Sequence, residues 1–215
     1  MAIKSILFNT EMVRAILDGR KSCTRRSVSS RQFLGMLPDK CKNAVPDEFL
    51  KDKRMMFKPY CDMTDTELIM TAYKAPYEPG DILYVRETWC LRYDGEKYFY
   101  KADKNTPREE KRLIDYNNTS WHPSIHMPKE AARIWLKVTD VRVERLQEIT
   151  PQGAWKEGAR CSCLNPVPDC AGNKTAFVNI WNSTIKKSDL DRYGWDANPW
   201  VWVIEFERCE KPEGV

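Results

Sequence analysis

The chain has 215 residues, of which 42% are hydrophobic and 31% charged, and carries a formal net charge of +4. That length suits one domain of ordinary size, taken here as 1–215, with enough apolar material for a core. No apolar run approaches the roughly 20 residues of a membrane-spanning helix. Met1 to Leu17 lacks the long apolar stretch and small-residue cleavage site of a secretory signal, so a cytoplasmic protein with no membrane partner is expected. A charge of this size does not by itself require a nucleic-acid partner.

In chain order, segment 4–9 reads as a strand. Segment 10–19 reads as a helix with Met12, Val13, Ile16 and Leu17 on one face, Thr10 as its cap and Gly19 as its stop. The turn GRKSCTRR (19–26) therefore begins where a helix ends, and it gathers Arg20, Lys21, Arg25 and Arg26. Such a run is either a solvated face or the cationic wall of a cleft. Residues 30–65 mix prolines and lysines without a period and read as an insertion with one short helix. Strands are expected over 67–73, 82–89 (ILYVRETW) and 97–103, with a turn at APYEPGD and a second, polar insertion over 104–125.

The clearest strand is 132–146. Ile134, Leu136 and Val138 alternate with polar residues, then the phase slips by one and Val141 and Val143 resume it, which predicts a bulge near Thr139–Asp140. Thr150 as cap, Pro151 in the first turn and Gly158 as terminator predict a short helix over 150–158. A third insertion, 159–172, holds the loop CSCLNPVPDC. A helix over 175–185 would point Phe177, Ile180, Trp181 and Ile185 inward. In the last strand, 199–208, Trp200, Trp202, Ile204 and Phe206 share one face, and Val201 and Val203 make the other partly apolar. Strands outnumber helices and few form β-α-β units. The expected class is α+β, a small closed or nearly closed β-barrel with packed helices and loop insertions.

The chain contains neither G-x-x-x-x-G-K-[ST] nor G-x-G-x-x-G, so phosphate-loop nucleotide binding has no support. Eight cysteines are present. Cys161, Cys163 and Cys170 share one loop, while Cys41 and Cys61 lie in another irregular stretch. Either the first three join one of the second pair around zinc, or all are free thiols. A C-x-C with one distant cysteine matches structural zinc poorly, so no metal or cofactor is assigned.

Several of these pieces, taken in order, resemble the ASCH domain, a PUA-like family. They are Gly19-Arg20-Lys21 with Thr24 and Arg26, Gly80-Asp81 before a strand, Leu146 with Ile149-Thr150, Ala154 with Glu157-Gly158, and the closing VWVIEFE. The segments GDILYVRETW and DANPWVWVIEFE resemble the phage and prophage branch in particular. The resemblance implies a barrel related to RNA-binding folds and a cleft facing a nucleoside or single-stranded RNA. It also implies, by analogy with N4-acetylcytidine amidohydrolases of the superfamily, catalytic roles for Lys21, Thr24 and Glu157. Other members of the family are ribonucleases.

Amide hydrolysis needs a nucleophile, a base and an acid for the leaving amine. A lysine can activate a threonine hydroxyl when its own pKa is pulled down, and crowding by Arg20, Arg25 and Arg26 offers one route. Glu157 would protonate the leaving nitrogen or hold Lys21 in place. Arg20, Arg26, Arg86, Glu87 and Trp89 are the expected substrate-binding residues, with Trp89 stacking on a base and Arg86 meeting a phosphate or carbonyl. The alternative for the last three is a core tryptophan beside an Arg–Glu ion pair. His122 and His126 are either a nuclease-like acid and base or ordinary loop residues. The competing functions are thus an amidohydrolase, a ribonuclease and a non-catalytic RNA or modified-base binding module.

Overall fold

The computed structural model describes residues 1–28, 45–49, 54–58, 71–91, 97–103 and 120–214. Its central sheet is built from β1 (Ile3–Leu7), β2 (Cys23–Ser27), β6 (Ile82–Arg86), β9 (Trp135–Arg145) and β10 (Trp200–Cys209), in the order β1-β6-β9-β10-β2. β1 and β6 are parallel, and the other pairs are antiparallel. β3 (Val45–Phe49), β4 (Arg54–Lys58) and β5 (Thr71–Lys74) form a second sheet, and β7 (Trp89–Leu91) pairs with β8 (Tyr98–Tyr100). The helices are α1 (Thr10–Leu17), α2 (Pro151–Lys156), α3 (Gly172–Thr184) and α4 (Leu190–Tyr193). The fold is α+β. Among the described residues, no helix is long and apolar enough to cross a membrane.

β10 divides the interior in two. Trp202, Ile204 and Phe206 pack with Val13 and Ile16 of α1 and Leu83 and Val85 of β6. Val201 and Val203 pack on the opposite side with Leu146, Ile149, Phe177 and Trp181. Each large apolar side chain withdrawn from water contributes about 1.5–3 kcal/mol, so a strand apolar on both faces anchors two cores at once. The predicted bulge is present: Glu205 pairs with Asp140 and Phe206 with Val138, leaving Thr139 as the extra residue. The bulge re-phases β9, so that Val138 and Val141 both reach the first core.

Among the described residues the sheet is not closed by backbone pairing, because β1 and β2 are both edge strands. The closed form of the expected barrel is therefore not observed. A side chain spans the two edges instead: Arg26 Nη2 donates to Leu7 O at 2.6 Å.

Local chemistry sets the ends of the elements. Asn9, not Thr10, caps α1, its side chain accepting from Met12 N at 2.9 Å. Thr150 caps α2 as expected, accepting from Gly153 N at 3.0 Å. Gly158 closes that helix at φ +89°, a left-handed conformation that favours glycine. In α3, Phe177 and Trp181 are buried, but Ile180 is 39% exposed, at the margin of the inward face. The strand expected over 82–89 ends at Arg86, and Trp89 opens a separate hairpin. Within 30–65 the described residues form β3 and β4. The short helix expected there, Cys41 and Cys61, and most of 104–125 lie outside the described residues.

Candidate active site

After α1, the amides of Arg20 and Lys21 both donate to Ala15 O, at 2.7 and 3.0 Å, and the chain swings into β2. Among the described residues β2 pairs with β10 on one side only, and its other edge has no strand partner. A small cleft, partly open to solvent, runs along that edge. Lys21, Thr24, Arg25, Arg26 and Glu157 line it. Met12 of α1 closes one flank, and Phe177, Ile180 and Trp181 of α3 close the other. Because the cleft lies at an edge, residues from both faces of β2 reach it. Thr24 and Arg26 come from one face and Arg25 from the other.

Lys21 and Glu157 are brought together from 136 residues apart. Lys21 Nζ donates to Glu157 Oε2 at 2.6 Å, to Glu157 O at 3.1 Å and to Cys23 O at 2.7 Å. These three bonds engage all three ammonium hydrogens. The other carboxylate oxygen of Glu157 accepts from Arg25 Nη1 at 3.3 Å, and Arg25 Nη2 donates to Glu144 at 3.1 Å. The side chains of Lys21, Arg25 and Glu157 are 1%, 3% and 7% exposed. The approach depends on Gly158, where an added Cβ would stand 3.1 Å from Ala15 Cβ and 3.5 Å from Lys21 Cβ. Thr24 is 2% exposed on the same wall.

Arg26 meets the Leu7 carbonyl and lies 5.4 Å from the Phe8 ring centroid, with no carboxylate partner among the described residues. Burial lowers its pKa from the ordinary arginine value, while Tyr77 and Glu157 act against that shift. Three cations against one carboxylate leave the lining positive. Burial, reinforced by Glu157, pushes the Cys23 thiol up to about 12 despite Arg25 and Lys21, which disfavours its thiolate.

The structure therefore gathers Lys21, Thr24, Glu157 and Arg26. It adds Arg25, which the sequence offered only as a source of charge. Four expected binding residues lie elsewhere. Arg20 turns outward to Asp18, at 2.9 Å, and does not line the cleft. Of the crowding expected around Lys21, Arg20 is thus absent, while Arg25 and Arg26 remain on the cleft lining and Glu157 pairs with the ammonium at 2.6 Å. Arg86 donates from Nε to Met127 O at 2.9 Å and from Nη2 to Ile125 O, pinning the 123–127 segment. Glu87 is 1% exposed and takes a two-pronged bond from Arg133, at 3.0 and 3.1 Å. An Arg–Glu pair is present, but its arginine is Arg133. Burial raises the Glu87 pKa despite Arg133. Trp89 packs against Tyr98 and His122. His122 and His126 are exposed and line no part of the cleft.

A second cluster lies outside the cleft. The sulfurs of Cys161, Cys163 and Cys170 all fall within 4.8 Å of one another.

No family model matches the chain, and no curated protein matches it. Among solved structures it is similar to a high-resolution crystal structure of an ASCH domain from Lactobacillus crispatus JV V101. The two are 10% identical with a TM-score of 0.42, over 96% of this chain and 79% of that one. A likeness at that level carries no argument about the site.

Proposed function

We propose that this chain is an ASCH-type protein whose cleft takes a nucleobase, and that it removes the acyl group from N4-acylated cytidine or a related modified nucleoside. The observation that carries this reading is the buried Lys21–Glu157 pair opening onto the same cleft as Thr24. The ordered sequence resemblance supports the same three positions. In the reaction, the Thr24 hydroxyl attacks the acyl carbon, its oxygen–acyl bond forms, and the bond from acyl carbon to N4 breaks. Lys21 takes the hydroxyl proton once its own proton has passed to Glu157, and the leaving N4 receives a proton from this pair. Water then cleaves the acyl ester and restores Thr24. Arg25 holds Glu157, and Arg26 offers a cation to a nucleotide phosphate.

One observation favours a second reading, a base or RNA binding module without turnover. The three hydrogens of Lys21 are all engaged inside the protein, as in a group that holds the shape of the cleft. The test is incubation with N4-acetylcytidine and chromatographic detection of cytidine, for the parent protein and for Lys21→Ala, Thr24→Ala and Glu157→Gln. Cytidine release by the parent, lost in the Lys21 and Thr24 variants, establishes the hydrolase. An inactive parent that binds single-stranded RNA in a salt-dependent way replaces it with the binding module. Neither histidine lines the cleft, so no geometry here favours a ribonuclease.

A further inference from the structure

Beyond the buried Ala159, the loop between α2 and α3 turns its larger apolar side chains outward. Leu164 is 96% exposed and Val167 is 54% exposed. A loop that buries so little needs another cross-link to hold one shape. Three features converge on its cysteines. Cys161, Cys163 and Cys170 bring their sulfurs within 4.8 Å of one another, and Cys163 Sγ lies 3.5 Å from Cys170 Sγ. Four thiolates around zinc at about 2.3 Å stand roughly 3.8 Å apart along each tetrahedral edge. The Cys163–Cys170 separation of 3.5 Å is close to that edge and far from the ~2.05 Å of a disulfide.

The backbone is also prepared. Asn173, fully buried, accepts from Cys161 N at 3.0 Å and donates to Val167 O and Pro168 O at 2.8 and 3.0 Å, lacing both arms of the loop to the start of α3. At Gly172 an added Cβ would fall 2.7 Å from Cys161 Cβ, so a residue without a side chain is required where the two arms meet.

We propose that Cys161, Cys163 and Cys170 form a thiolate site for zinc. Soft sulfur ligands select zinc over magnesium or calcium. The three side chains supply three tetrahedral positions, and the fourth goes to water or another solvent-borne ligand on the side where Cys163 is exposed. The site joins the segment following Glu157 to the helix that carries Phe177 and Trp181. Zinc there fixes the α3 wall of the cleft relative to Glu157 without touching substrate.

The test is metal analysis of the full chain purified under reducing conditions, followed by cobalt(II) titration of the zinc-free protein. About one zinc per chain is expected, the stoichiometry of a single tetrahedral site. Cobalt should give thiolate charge-transfer bands and the intense visible bands of tetrahedral geometry. Cys161→Ser, Cys163→Ser and Cys170→Ser should each lose them, while Cys209→Ser, in β10, keeps them. If the serine variants fold poorly, Cys170→His, which retains a ligand atom, should still bind cobalt with shifted bands. Release of zinc from the parent by a mercurial thiol reagent gives the same answer without substitution. Reduced protein that binds neither metal, binding undiminished in the three serine variants, or a Cys163–Cys170 disulfide in protein isolated without added reductant would overturn the proposal.

Discussion

Lys21 Nζ lies 2.6 Å from Glu157 Oε2, with the two side chains only 1% and 7% exposed. One comes from the turn after the first helix and the other from the C-terminus of α2. A buried charge is tolerated only when its partner is present, and removing one partner typically costs about 3–5 kcal/mol. Lys21→Ala or Glu157→Ala should therefore lower unfolding stability by about that amount in urea titrations. The double substitution Lys21→Met with Glu157→Leu should recover part of the loss, because Lys21 no longer leaves a charge behind and Arg25 keeps its pair with Glu144 at 3.1 Å. On the proposed hydrolase reading, that double variant should release no cytidine from N4-acetylcytidine, which separates a structural role of the pair from a chemical one.

Gly158 makes this approach possible. Its φ of +89° lies in the left-handed region, and an added Cβ would press on Ala15 Cβ at 3.1 Å. Gly158→Ala should cost about 1–2 kcal/mol for the backbone alone, plus the crowding against α1. Thermal unfolding reports the loss. Because Lys21 Cβ is the next neighbour, at 3.5 Å, nucleoside turnover or binding should fall as well.

Asp81 governs part of the acid stability. Burial raises its pKa, but bonds from Lys4 Nζ at 2.7 Å, Ala2 N at 2.9 Å and Glu78 N at 3.1 Å outweigh it and hold the group below its ordinary value of 3.8. A carboxylate lowered on folding stabilises the protein above its unfolded pKa and loses that contribution as pH falls through the folded one. Asp81→Asn should thus be less stable than the parent at neutral pH. The gap in melting temperature should narrow as pH drops below about 4, the usual carboxylate range. A gap that stays constant over that range contradicts the assignment.

Arg26 separates the two functional readings. If the cleft takes single-stranded RNA, Arg26→Ala should weaken binding across sequences and reduce the salt slope by about one unit, as loss of one phosphate contact does. Removing the guanidinium also removes its bond to Leu7 O, so a circular-dichroism melt should accompany the binding series. If the substrate is a free nucleoside, affinity should change little with salt in either protein.

Much of the fold could be read locally. The slip between Val138 and Val141 places a bulge near Thr139–Asp140, because a period-two pattern has to insert a residue to keep one face apolar, and the strand pairing picks out Thr139. Thr150, Pro151 and Gly158 marked both ends of α2 through groups that act within a single turn. In β10 the alternating tryptophans, isoleucine and phenylalanine mark one apolar face, and Val201 and Val203 make the other partly apolar. Thr10 was read as the cap of α1 although Asn9 does that work, since both residue types cap and the choice turns on one residue of register. The extent of ILYVRETW was overstated because pairing partners, not propensity, end a strand, and β6 stops at Arg86.

The sequence by itself determined which residue types could do chemistry here and in what order they come along the chain. Lys21, Thr24, Glu157 and Arg26 could be named together only through the resemblance of their ordered motifs to the ASCH domain. Tertiary structure decided which of them meet. An arginine next to Lys21 in sequence, Arg20, turns out to Asp18, while Glu157, far away in sequence, closes on it. Arg25 enters the cleft because β2 is an edge strand, whose two faces both reach the open side. Arg86, Glu87 and Trp89 went elsewhere because their partners, Met127, Arg133 and His122, sit on a segment whose path no local pattern encodes. Caps, bulges and periodicity act over a few residues and leave a mark in sequence. Charge pairing and cleft formation act across the fold, and are settled only when the sheet order brings distant segments side by side.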